Sequence, residues 1–233
     1  MKTQRPAADE KAGIVRRALA IGAAAGLFGL SFGALATAAG IGVAEACALS
    51  FLVYGGASQF ALVAVAAAGG APVAGVLTAL LLGVRNGLYG LRLAPVLDAK
   101  GWRRLAAAHL VSDESVAMAL NAESPANVRL AFWATGVAVF GAWNLATLVG
   151  AFGAHLLDDP RRFGLDAGVS GAFLALVAPR LREPGAAAVV VVAVVASLAT
   201  IPLLPAGFPV LAAGGTVLLV ARPPAGAVAE EVA

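Results

Sequence analysis

The chain has 233 residues, of which 61% are hydrophobic and only 12% are charged, and its mean hydropathy is +0.90. Apolar runs of the roughly 20 residues that cross a bilayer recur along it, which excludes an ordinary soluble domain and predicts an all-α polytopic membrane protein of about six to eight helical segments. The formal net charge of +3 comes from basic residues in tails and loops that flank these runs, so it indicates membrane topology and not nucleic-acid binding.

The first 17 residues form a polar arm with more basic than acidic residues, which predicts a cytoplasmic N-terminus. A cleavable signal peptide is the alternative, but the apolar run at 18–39 is longer than a usual signal sequence, and we interpret it as the first span. Four glycines in this span, spaced four, three and four residues apart, share one helix face that a neighbouring helix can approach closely: Gly22, Gly26, Gly29 and Gly33.

The second apolar run, 43–68, is interrupted at residues 54–60 by the sequence Tyr-Gly-Gly-Ala-Ser-Gln-Phe. Glycines weaken a helix, and the polar side chains add donors and acceptors that need partners inside a membrane. Two interpretations stay open. The segment is either a broken helix that lines a substrate cavity, or a small-residue seam between packed helices with Gln59 hydrogen-bonded across it.

The third apolar run, Val73 to Leu93, contains Arg85, Tyr89 and Arg92 on one helix face. Arg92 and Tyr89 suit the membrane interface, whereas Arg85 lies roughly 10 Å deeper at 1.5 Å per residue. An arginine inside the membrane needs an anionic partner or water, so Arg85 is a functional candidate, with an interfacial position as the alternative.

Charges after this run bear on the topology of the broken segment. The loop that follows is basic, with Arg92, Lys100, Arg103 and Arg104 against Asp98, and is expected in the cytoplasm. Three simple crossings from a cytoplasmic N-terminus would instead leave it outside. A re-entrant hairpin that turns near Gly55 and Gly56 removes the conflict, but each arm would then have only about 13 residues, or roughly 20 Å. We favour a broken helix that crosses once.

A weaker apolar segment, 105–120, contains Ser112-Asp113-Glu114-Ser115. Ser112 can cap a helix whose first turn carries the two acids, and the alternative is a proton or cation site reached from a cavity. His109 lies four residues before Asp113, a spacing that can chelate a metal, but the other histidine, His155, is distant in sequence. With one cysteine, Cys47, and no Cys/His cluster, we predict neither a metal site nor a cofactor.

Four further apolar runs complete the chain: 128–149 after a helix start at Ser124-Pro125, then 165–181, 185–203 and 208–221. The last run spans only about 21 Å. We therefore predict an N-terminal arm at 1–17, a single transmembrane helical domain at 18–221 and a flexible tail at 222–233.

Several landmarks resemble, in this order, those of the AzlC family: residues 54–60, Val-Arg-Asn-Gly-Leu-Tyr at 84–89, Ser-Asp-Glu-Ser at 112–115, Trp143-Asn144 and Leu165-Asp166. The resemblance runs from about Gly26 to Pro184. Where the family usually has Asn-Leu-Arg-His before Leu-Tyr, this chain has Gly83-Val84-Arg85-Asn86-Gly87, so the arginine and tyrosine remain while the Asn and His are absent.

The resemblance implies the large subunit of an exporter of branched-chain or other apolar amino acids in the cytoplasmic membrane, paired with a small subunit called AzlD. On this hypothesis the substrate-binding residues are Tyr54, Gly55, Gly56, Ser58, Gln59, Arg85, Asn86 and Tyr89, and the ion-coupling residues are Asp113 and Glu114. The chain is then not an enzyme. The alternatives are an intramembrane enzyme that uses His109, Asp113 and Glu114, and a membrane scaffold without transport activity.

Overall fold

The computed structural model describes residues 7–155, 174, 178, 180–182, 184–205 and 207–220. These residues form nine α-helices, one short 3₁₀ helix at Arg180–Arg182 and no strand, which confirms the all-α prediction. The helices are α1 (Ala7–Ala38), α2 (Val43–Leu52), α3 (Ala57–Ala67), α4 (Pro72–Leu97), α5 (Trp102–His109), α6 (Asp113–Leu120), α7 (Pro125–His155), α8 (Ala186–Thr200) and α9 (Phe208–Val220). The predicted run at 165–181 lies almost wholly outside the described residues.

Three of these helices, α1, α4 and α7, are long and apolar enough to cross a membrane, over Asp9–Ala38, Pro72–Leu97 and Pro125–Ala154. They confirm that the chain is a helical membrane protein. Helix α1 begins at Ala7, so the part of the predicted polar arm from Ala7 onward is helical.

Helices α1 and α7 pack side by side and run in the same direction. Near their starts, Asn127 Nδ2 donates to Glu10 Oε1 at 2.7 Å, and further along Gly29 and Gly33 lie against Trp143 and Thr147. A Cβ added at Gly29 would come within 2.6 Å of the Trp143 carbonyl oxygen, closer than a real Cβ can approach. The glycine face predicted from the sequence therefore sets the contact between the two helices.

Helix α4 runs in the opposite direction to α7. Arg129 Nε donates to the Val96 carbonyl at 2.9 Å, which places the end of α4 beside the start of α7. We call the end of the bundle where α7 begins the proximal end, and the end where α7 finishes at His155 the distal end. Helices α1 and α7 thus run from proximal to distal, and α4 returns from distal to proximal.

Helices α2 and α3 form a re-entrant hairpin that opens toward the distal end. Gln59 Nε2 donates to the Leu49 carbonyl at 3.1 Å, although ten residues of continuous helix would span about 15 Å, so the chain turns back between them. The start of α2 follows the distal end of α1, and the end of α3 precedes the distal start of α4. The once-crossing broken helix that we favoured from the sequence is therefore wrong, because a tertiary bond between the two arms folds them together.

Helices α5 and α6 form a second hairpin that opens toward the proximal end. The segment leaves the proximal end of α4 and returns to the proximal start of α7, where Val116 and Ala119 pack with Leu93 and Phe132. The predicted single segment at 105–120 is thus two short helices separated at Leu110–Ser112. The chain contains two units in inverted order, α1 with its distal hairpin and α4 with its proximal hairpin.

The tips of the two hairpins meet halfway along α7. His109 Nε2 lies 2.9 Å from the Phe51 carbonyl oxygen, and the rings of Tyr54 and His109 have centroids 6.0 Å apart. Phe140, from the middle of α7, packs against both rings. Each tip therefore covers part of the other's irregular backbone, as a bilayer interior requires.

The last two helices, α8 and α9, are short and pack against each other. Ser197 Oγ donates to the Pro209 carbonyl at 3.2 Å. The turn before α9 lies near the distal end of the bundle, since Thr78 Oγ1 lies 3.4 Å from the Gly207 carbonyl oxygen. The 13-residue length of α9 agrees with the short final run seen in the sequence.

The two hairpins predict which loops lie on the same side of the membrane, whichever end of the bundle is cytoplasmic. After replacement of Cys47, single cysteines at the exposed residues Gly42 and Ala71 should react with an impermeant thiol reagent from one side of the membrane. Cysteines at the exposed residues Lys100 and Glu123 should react from the other side. Labelling of positions 42 and 71 from opposite sides would show that residues 43–67 cross the membrane.

Candidate functional site

A cavity of about 100 Å³ lies where the two hairpin tips face the middle of α1, α4 and α7. Its lining residues come from all of these elements: Phe28, Tyr54, Gly55, Gly56, Ala57, Phe60, Arg85, Asn86, Ser112, Asp113, Glu114, Val139 and Trp143. The lining brings together three separate parts of the sequence that we singled out, at 54–60, 84–89 and 112–115. These stretches meet only in the folded protein, so their spacing along the sequence does not predict that they share a cavity.

One wall of the cavity is charged. Arg85 Nη1 lies 2.7 Å from Asp113 Oδ2, and the two side chains are 38% and 33% exposed. Glu114 lines the same cavity, so the wall carries one positive and two negative formal charges. Asp113 Oδ1 and Asn86 Oδ1 are buried without a hydrogen-bond partner among the described residues. The wall thus keeps acceptor capacity for a ligand.

The start of α6 explains why two acids lie at this depth. Ser112 is the N-cap: its Oγ accepts from the Ser115 backbone N–H at 3.2 Å, and Ser115 Oγ accepts from the Ser112 backbone N–H at 2.9 Å. The capping interpretation of Ser112 is therefore confirmed. Because the two serines perform the capping, the carboxylates of Asp113 and Glu114 are left to face the cavity.

The tip of the first hairpin presents backbone to the cavity. Gly56 is the N-cap of α3, with φ 53° and ψ −92°, a conformation that L side chains rarely adopt, and it makes no side-chain capping bond. Ser58 and Gln59 follow within the helix, and both are buried behind the lining. Gln59 holds the arms of the hairpin together through Leu49, so its contact is the cross-arm hydrogen bond that the seam interpretation predicted.

A second wall of the cavity is apolar and aromatic. Trp143 stacks on Phe32 with ring centroids 6.4 Å apart, and Phe60 meets Trp143 edge-on at 6.1 Å. Phe28 and Val139 complete this wall. Phe60 and Trp143 are 5% and 7% exposed, so the aromatic surface is held by its own packing and not by a ligand.

The structure separates the predicted site residues into two groups. Tyr54, Gly55, Gly56, Arg85, Asn86, Asp113 and Glu114 line the cavity, whereas Ser58, Gln59 and Tyr89 do not. Tyr89 packs instead against the proximal apolar cluster around Leu93 and Phe132. The ring of His109 packs among aromatic residues beside the Phe51 carbonyl, and no group of three metal-ligating side chains occurs among the described residues.

Six lining residues were not among the predicted site residues. Three of them, Ala57, Phe60 and Ser112, lie within stretches that the sequence analysis singled out, and the other three do not: Phe28, Val139 and Trp143. Trp143 was noted only as a landmark of the resemblance. A signal was present, because Trp143 lies on the helix that packs against the glycine face of α1. Phe28 and Val139 are ordinary apolar residues of membrane helices, and nothing in their local sequence distinguishes them.

A cavity at the meeting point of two helix breaks, inside a bundle of membrane-spanning helices, is typical of a membrane transport protein. The model of one protein family, described as AzlC protein, matches residues 20–157. The chain therefore belongs to the AzlC family, a family of transporters. No curated protein and no solved structure matches the chain.

The cross-arm bond predicts a specific effect of Gln59. The Leu49 carbonyl also accepts from the Val53 backbone N–H, so Gln59→Leu removes one cross-arm hydrogen bond without leaving that carbonyl unpaired; the change should cost about 0.5–1.5 kcal/mol and lower the melting temperature of the purified protein in detergent. Asn121→Leu, at an exposed amide that bonds a carbonyl one turn back, is the matched control and should change the melting temperature little. An unchanged melting temperature for Gln59→Leu would show that this hydrogen bond does not stabilise the hairpin.

Proposed function

We propose that the chain is the large subunit of a secondary transporter that exports branched-chain or other apolar amino acids. The observation that carries this proposal is the pairing of a charged wall with an aromatic wall across one cavity at mid-depth. An apolar amino acid has the same division, with two opposite charges at one end and a hydrocarbon side chain at the other.

The polar wall can receive both charges of the substrate. Arg85 offers a planar guanidinium to a carboxylate, and Asp113 with Glu114 offers carboxylates to an ammonium group. Arg85 and Asp113 bind each other, and both remain partly exposed. Because a zwitterion brings one charge of each sign, it can replace this ion pair without leaving a buried charge unpaired.

The aromatic wall suits the apolar side chain of the substrate. Phe28, Phe60, Val139 and Trp143 present a surface without charge, and a branched aliphatic chain buried there gains roughly 25 cal/mol per Å² of apolar area removed from water. A charged side chain would lose its hydration on this wall without gaining a partner. Selectivity for apolar amino acids follows from that difference.

The inverted arrangement of the two hairpins supports alternating access. The distal hairpin covers the cavity from one side and the proximal hairpin from the other, and inverted units are common in transporters that rock around a central site. The sequence has no nucleotide-binding motif, so we assign the driving force to an ion gradient or to exchange. Asp113 and Glu114 are the proposed coupling groups.

We place the proximal end in the cytoplasm and the protein in the cytoplasmic membrane. Within residues 7–155, every lysine and arginine except Arg85 lies on the proximal side of the cavity: Lys11, Arg16, Arg17, Arg92, Lys100, Arg103, Arg104 and Arg129. Basic residues concentrate on the cytoplasmic side of membrane proteins. Because the distal hairpin does not cross the membrane, only α1 and α4 cross before the basic loop at residues 98–104, and the topological conflict noted in the sequence is removed. The family relationship supports a small AzlD-like membrane subunit as partner.

The proposal predicts amino acid counterflow. Proteoliposomes with the purified protein should exchange leucine, valine and methionine across the membrane, with and without the co-expressed small subunit, and should exclude glutamate and lysine. Arg85→Lys keeps the charge but loses the planar fork, so the half-saturation concentration should rise, and Arg85→Leu should raise it further. Absence of counterflow for every apolar amino acid in both preparations would contradict the proposal.

The coupling role predicts a change in pH dependence. If Glu114 carries the coupled proton, Glu114→Gln should flatten the dependence of leucine counterflow on pH while the melting temperature stays the same, because Ser112 and not Glu114 caps α6. The matched control is Glu123→Gln in the exposed loop before α7, which should keep the wild-type profile. A wild-type pH profile in Glu114→Gln would assign coupling elsewhere.

A further inference from the structure

The N-terminus of α3 presents free backbone donors to the cavity. Ser58 N donates to the Gly55 carbonyl at 3.3 Å, and the backbone N–H groups of Gln59 and Phe60 both donate to the Gly56 carbonyl. The preceding N–H groups, those of Gly56 and Ala57, have no partner among the described residues, and both residues line the cavity. The positive end of the helix dipole thus faces the cavity with no capping side chain.

The other helix that begins at the cavity differs. At the start of α6, Ser112 and Ser115 each cap the other's backbone N–H group, and the first turn carries Asp113 and Glu114. Both carboxylates repel an additional anion. Of these two helix starts, α3 is therefore the one that is open to a negative group.

A buried tryptophan beside this helix start also lacks a partner. Trp143 is 7% exposed, and its indole Nε1 is buried with no hydrogen-bond partner among the described residues. Its ring lies against the tip of the hairpin, since a Cβ added at Gly56 would be 3.9 Å from Trp143 Cη2. The indole nitrogen can only donate, so this site lacks an acceptor.

We propose that the carboxylate of the transported amino acid binds at the uncapped N-terminus of α3, where it accepts hydrogen bonds from the Gly56 and Ala57 backbone N–H groups and from Trp143 Nε1. This inference rests on the proposed function and adds to it a residue that fixes the orientation of the substrate. Arg85, which lines the same cavity, pairs with this carboxylate and supplies the balancing charge. The ammonium group then lies toward Asp113, whose Oδ1 is unpartnered.

Trp143→Phe tests the tryptophan because it removes the indole N–H and keeps an aromatic ring. A hydrogen bond to a charged group is lost, so the half-saturation concentration for leucine counterflow should rise roughly tenfold, with maximal flux and melting temperature near the wild-type values. Trp133→Phe is the matched control on the same helix, outside the cavity lining, and should leave the half-saturation concentration unchanged. An unchanged value in Trp143→Phe would overturn the inference and leave the proposed function standing.

A competition experiment on the wild-type protein tests the same subsite without any substitution. Leucinol has the leucine side chain and ammonium group but no carboxylate, so it should inhibit leucine counterflow at least roughly tenfold less effectively than valine does. Equal inhibition by leucinol and valine would overturn the inference. Absence of leucine counterflow in the wild-type protein would instead overturn the proposed function, and the inference with it.

Binding can also be observed without transport. The chain has three tryptophans, so replacement of Trp102 and Trp133 by phenylalanine leaves Trp143 as the sole indole. Its fluorescence should respond to 4-methylpentanoate, which has the carboxylate and hydrocarbon chain of leucine but no ammonium group, and should not respond to leucinol over the same concentration range. A response to leucinol alone would place the ammonium group, and not the carboxylate, beside Trp143.

Discussion

The structure depends on one constraint: backbone at the centre of a membrane protein must be hydrogen-bonded or shielded from lipid. The chain breaks its helices twice at mid-depth, at residues 53–56 and 110–112, and each break exposes backbone groups. The breaks shield each other because their tips meet at Phe51, Tyr54 and His109. Neither hairpin could remain at this depth alone, so the two form one structural unit with α7 behind them.

The close contact between α1 and α7 supports the two hairpins. Glycine at position 29 lets the two backbones approach closely, and Thr147 Oγ1 accepts from Ser50 Oγ at 3.1 Å, which ties the first hairpin to the same contact. The aromatic wall depends on this contact, since Trp143 packs against Gly29 where α1 and α7 meet. The fold and the cavity are therefore not separate features. A change that separates α1 from α7 alters the wall that we assign to the substrate side chain.

Much of the fold could be predicted from the sequence, because helix formation in a membrane is local. Hydropathy predicted the three long helices α1, α4 and α7, the glycine spacing predicted the buried face of α1, and Gly55-Gly56 predicted the first break. The direction of the chain after that break could not be predicted, because it depends on the bond from Gln59 to Leu49. The second break has neither glycine nor proline, so residues 105–120 read as one segment. Arg85 and Asp113 were each identified as candidates, but their ion pair could not be predicted because it joins two helices that are separate in sequence.

The central claim is that the two hairpin tips meet at one cavity inside the membrane. A cysteine pair at Tyr54 and His109, in a chain without Cys47, tests it most directly, because the two rings lie 6.0 Å apart between centroids. A short bifunctional thiol reagent should cross-link this pair in native membranes, and should not cross-link a control pair at Tyr54 and Lys100, since Lys100 lies at the proximal end. Failure to cross-link Tyr54→Cys with His109→Cys, while each single cysteine reacts with a permeant reagent, would contradict the claim.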